Sequence, residues 1–66
     1  MPIKVREAIR QIEDDGWVML PRKGTNHRQF KHPVKAGRVT ISGNPGNDLS
    51  IKDQRSIEQQ AGIRLK

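Results

Sequence analysis

Two alternating stretches sit five residues apart in the middle of this chain, HRQFKH at 27–32 and RVTIS at 38–42, joined by PVKAG at 33–37. A side-chain period of two marks strands with one covered face and one wet face. A link this short returns the chain antiparallel, because a parallel crossover needs a dozen residues or more. The hairpin constrains everything around it. Parity puts His27, Gln29 and Lys31 on one side of the first strand, and Arg28, Phe30 and His32 on the other. In the second strand Val39 and Ile41 turn inward, while Arg38, Thr40 and Ser42 turn outward. If Phe30, Val39 and Ile41 meet the core, the wet face carries His27, Gln29, Lys31, Arg38 and Thr40. A slip of one residue would reverse that assignment.

The flanks supply the cover. IKVREAIRQIEDD, residues 3–15, places Val5, Ala8, Ile9 and Ile12 on one helical stripe, and Gly16 suits a left-handed stop. The acids Glu13, Asp14 and Asp15 oppose the helix dipole at that end. WVMLPR, 17–22, reads as a short apolar strand, with Pro21 at its edge or end, and Trp17 reads as core. Lys23–Asn26 is a turn. GNPGND, 43–48, is a loop without the spacing of a phosphate-binding P-loop. A second helix starts between Ser50 and Asp53, which are spaced as a weak capping box, with Asp53 itself the alternative cap. Ile57 and Ala61 share a face, and Gly62–Ile63 closes the helix. The expected fold is α+β in the order α-β-β-β-α. A three-stranded antiparallel meander has both helices on one face, in one domain over residues 1–66.

With 66 residues the core must be small, since such a chain removes only about 60% of its unfolded surface from water. There is no cysteine, so neither a disulfide nor a thiolate metal site is available. Two histidines without supporting ligands argue against zinc, and no metal or other cofactor is expected. No apolar run approaches the roughly 20 residues that span a bilayer, and no signal-peptide core follows Met1. No membrane association is expected, and the expected location is the cytoplasm. The net charge of +6 is unevenly placed. Arg22, Lys23, Arg28, Lys31, Lys35 and Arg38 fall within residues 22–38, where there is no carboxylate. Such a local field attracts phosphates.

His27 lies in that segment. Histidine exchanges protons near neutrality, and RNA carries its own nucleophile in the 2′-hydroxyl. A protein need only move that proton, neutralise the growing phosphate charge and assist the leaving 5′-oxygen. His27 is therefore the candidate catalytic residue, with Lys23, Arg28, Lys31, Lys35 and Arg38 as candidate RNA-phosphate contacts. His32, before Pro33, reads as a residue that packs at the sheet edge or caps the turn. A non-catalytic RNA-binding module, and a basic face made only for an acidic protein, satisfy the same composition.

Four segments in order, KVREAIRQIEDDGW, GTNHRQFKHP, GRVTISGNPGNDLS and RSIEQQAGI, resemble the HicA-type (YcfA-like) mRNA interferase toxins over nearly the whole chain. The strongest parts are His27–Pro33 and Gln60–Ile63. The resemblance implies a fold like that of double-stranded-RNA-binding domains, and ribosome-independent mRNA cleavage with one catalytic histidine at the start of the second strand. It implies the toxin role in a type II toxin–antitoxin pair, a HicB-type antitoxin over the active face, and operator DNA bound only through that complex. His27 matches the histidine position. Many members have Gly-Ser-His where this chain reads Gly24-Thr25-Asn26-His27, so either Asn26 or His27 stands at the family position. Ile51–Lys52 stand where Pro-Gly is common in the family.

Overall fold

A computed structural model describes residues 3–21 and 27–66. Lys23 and Asn26 of the expected turn lie outside the described residues. The element order is α1 (Val5–Asp14), β1 (Val18–Met19), β2 (Arg28–Lys31), β3 (Arg38–Ile41) and α2 (Ile51–Ala61). The strands form one antiparallel sheet in the order β1-β2-β3. This is the expected α-β-β-β-α meander, with α1 and the strands shorter at their ends than the sequence pattern and α2 within its expected bounds.

Alternation decides the packing. In β2 and β3 the residues Arg28, Phe30, Val39 and Ile41 are buried, while Gln29, Lys31, Arg38 and Thr40 are exposed. The inward side chains join Val5, Ala8 and Ile12 of α1 and Ile57 and Ala61 of α2 in one cluster around Trp17. Each large apolar side chain buried there contributes on the order of 1.5–3 kcal/mol. Leu49, before α2, and Leu65, after it, also reach this core. Neither belongs to a periodic run, so the helical stripes do not announce them.

The helix ends explain the loops. Lys4 at the start of α1 makes no side-chain cap. Instead the amides of Val5 and Arg6 donate to the carbonyls of Asn47 and Pro45, at 2.9 and 3.1 Å. The 43–48 loop thus satisfies donors that every helix start leaves open. A Lys4–Asp48 ion pair at 2.7 Å and a Leu49 amide bond to the Ile3 carbonyl close the same junction. At α2, Ser50 Oγ accepts the Asp53 amide, and Gly62 adopts a left-handed φ of 71°, as the sequence predicts. Beyond Gly62 the chain straps back onto α1. The Gln11 side chain donates to the Lys66 carbonyl and accepts from the Lys66 amide.

Candidate nucleic-acid interface

Strand register sorts the open face into rows. Val18 lies opposite Lys31, and Lys31 lies opposite Arg38. All three are exposed, Val18 by 61%. The next row pairs Gln29 with Thr40. His27 precedes β2, is exposed, and by the same register is level with Ser42. His27 is thus an exposed position next to the Gln29 row, on the side that parity assigns to the open face. At about 3.3 Å per residue along a strand, His27 is about 7 Å from Gln29 and about 13 Å from Lys31.

Lys31 and Arg38 have a cost built into their placement. Like charges directly opposite one another on adjacent strands repel. Among the described residues, neither has a carboxylate within ion-pair distance. Arg38 is instead steadied by Gln29, with Nη1 donating to Oε1 at 3.2 Å. The sheet beneath is firm: Phe30 and Val39 are fully buried, and the free edge of β3 is pinned where the Thr40 amide donates to Gln60 Oε1 at 2.9 Å. Gln60 in turn donates to Ser56 Oγ. The closing Gln60–Ile63 segment thus holds a strand edge with Gln60, fills the core with Ala61, turns at Gly62 and packs Ile63 against the core.

Two of the expected phosphate contacts have other surroundings. Arg28 is only 5% exposed and donates from Nη1 to the Gly43 carbonyl at 2.7 Å. Parity wins over charge here: the side chain follows Phe30 to the covered side and ties β2 to the 43–48 loop. Lys35 donates from Nζ to Asp15 Oδ2 at 2.6 Å and to the Ala61 carbonyl at 3.1 Å. It fastens the ends of α1 and α2 to the β2–β3 turn. Both expectations are revised on that account. Among the described residues, the cations on the open sheet face are Lys31 and Arg38.

His32 caps the turn. Its Nδ1 accepts the amides of Val34 and Lys35, each at 3.0 Å, so the ring proton belongs to Nε2, which donates to the Asp15 carbonyl at 2.8 Å. The ring meets Trp17 edge-on, with centroids 5.2 Å apart. All the polar capacity of His32 serves the fold.

The Asp15 carboxyl sits below its ordinary range, chiefly because it accepts the hydrogen bond from Lys35. A carboxyl whose value is lower folded than unfolded stabilises the fold above the unfolded value, near 3.9. That contribution fades as pH falls from there through the lowered folded value. Asp15→Asn should accordingly flatten the acid limb of a melting-temperature profile below about pH 4. An unchanged acid limb would show that the Asp15–Lys35 pair adds nothing to stability.

Among the described residues there is no grouping of three metal-ligating side chains, and no helix is long and apolar enough to cross a membrane. No curated protein matches the chain in sequence. Among solved structures it is similar to a chain from a structure titled "HicA3 and HicB3 toxin-antitoxin complex", with a TM-score of 0.77 and 25% identity over 97% of this chain and all of that one. A family model described as the HicA toxin of bacterial toxin–antitoxin matches residues 5–63. That match runs from the first residue of α1 to the apolar residue after Gly62, taking in the sheet and both helices, and the chain belongs to the HicA toxin family.

Proposed function

We propose that the open sheet face is the working surface of a metal-independent endoribonuclease that cleaves mRNA. The exposure of His27 on that face carries the reading, and membership of a toxin family is consistent with it. In the neutral form, His27 takes the proton of a ribose 2′-hydroxyl. The 2′-oxygen attacks the adjacent phosphorus, the bond from phosphorus to the 5′-oxygen breaks, and the imidazolium returns its proton to that oxygen. The products are a 2′,3′-cyclic phosphate and a 5′-hydroxyl. Lys31 and Arg38 occupy positions about 13 Å along the sheet from His27. They hold the substrate strand to one side of the cut. In the cell the partner is a HicB-type antitoxin, the kind of protein named with the similar toxin. A chain of net charge +6 suits an acidic partner, and operator DNA is reached only through the complex. The test is to incubate the chain with RNA in a chelating buffer and analyse the product ends. Cyclic-phosphate ends support the reading, whereas RNA retained but uncut from pH 5 to 8 would leave a binding module.

The repulsion between Lys31 and Arg38 yields a prediction of opposite signs. Lys31→Gln should raise the melting temperature slightly, because it removes a like-charge pair. It should also weaken RNA binding and reduce the salt slope of log K by about 1. Thermal melts and fluorescence-anisotropy titrations at several salt concentrations check both. Unaltered RNA affinity would remove Lys31 from the interface.

A further inference from the structure

We infer that Gln29 and Arg38 form a base-reading unit that prefers guanine in the nucleotide beside the scissile phosphate. This rests on the reading of the open face as the RNA-cleaving surface. Three placements on the sheet carry it. His27 marks the cut and Lys31 grips the strand about 13 Å along β2, so the intervening nucleotide lies over the Gln29 row, midway between them. Gln29 is exposed there and its amide is oriented, because Oε1 accepts from Arg38 Nη1. Arg38 is held by the same bond, beside Lys31 and diagonal to Gln29.

The chemistry of this unit is one-sided. With the amide oxygen turned to Arg38, Gln29 presents its NH₂ to a ligand, and the guanidinium has only N–H groups to offer. Donors side by side select an edge with acceptors side by side. Guanine provides N7 and O6 on one edge, where adenine replaces O6 with an amino donor. Single-stranded RNA exposes such edges, because its bases splay out of the stack. The division of labour follows: the Lys31 ammonium, a compact point charge, takes a phosphate, and the planar fork of Arg38 takes the base.

The test uses His27→Ala, which binds without cutting, and uridine-rich RNA oligomers carrying one central guanosine, adenosine or 7-deazaguanosine. Fluorescence anisotropy should show guanosine bound about 10-fold more tightly than adenosine, with 7-deazaguanosine, which lacks N7, losing most of the gain. Adding Arg38→Ala or Gln29→Ala should erase the discrimination, whereas Lys31→Gln should weaken all three oligomers alike. Equal affinity for guanosine and adenosine, or discrimination that survives Arg38→Ala, overturns the inference. Cleavage by the unaltered chain keeps the two readings apart. Cutting with no guanine bias beside the cut sinks the base-reading unit and leaves the nuclease. Guanine-selective binding without any cutting does the reverse.

Discussion

His27→Ala should leave the fold intact and, on the proposed mechanism, lower RNA cleavage by about 10²–10⁴-fold, the contribution of a positioned proton-transfer group. The side chain is exposed and lies outside the buried cluster, so truncation opens no cavity. The described cations of the open face, Lys31 and Arg38, occupy positions about 13 Å along the sheet from residue 27. Three measurements separate the outcomes: a melting curve superimposable on that of the parent chain, an RNA affinity within a few-fold, and a collapse of the cleavage rate. Asn26→Ala is the companion variant, because Asn26 stands at the family position in the alternative alignment. Full cleavage by His27→Ala would remove the catalytic assignment. Full cleavage by Asn26→Ala, with none by His27→Ala, would fix the register.

Gly16→Ala should have the largest effect on stability. The backbone there has φ 109°, a conformation L side chains rarely adopt, and an added Cβ would come within 2.8 Å of His32 Nε2. That nitrogen is the atom that donates to the Asp15 carbonyl. The substitution therefore strains the turn, at about 1–3 kcal/mol, and displaces a ring whose two nitrogens together make three hydrogen bonds. A total near 3 kcal/mol is a large share of the about 3–10 kcal/mol available to a chain of this length. Urea denaturation should show a clearly lower midpoint. In a His32→Ala background the added loss should shrink to the backbone strain, since the obstructing ring is gone. A Gly16→Ala chain as stable as its parent would mean that the turn relaxes freely.

The hairpin was readable because two constraints agreed: alternation fixed the faces and the short link fixed the direction. Ser50, Asp53 and Gly62 were readable for a similar reason, since caps are local. Gly16 was half readable. Its role as a helix stop lies in the sequence, but the crowding by His32 depends on a residue 16 positions away. Arg28 shows where two signals conflict. Its parity pointed inward and its charge outward, and a carbonyl at Gly43 resolved the conflict by giving a buried guanidinium an acceptor. Lys35 belonged to a basic run, but its partners Asp15 and Ala61 come from both helix ends, and no local spacing anticipates them. The distance between His27 and the Lys31–Arg38 row was implicit in the strand geometry, yet charge counting treated the segment as a single patch. Gln29, which sits between them, has no charge to draw notice.

The borrowed cap on α1 also sets an order of events. Its opening amides wait for carbonyls at Pro45 and Asn47, some 40 positions downstream, and Gln11 waits for Lys66. Helices this short are marginal in isolation, so α1, earliest of the five elements in chain order, is among the last secured. A ribosome must release the chain through Lys66 before α1 can acquire these contacts.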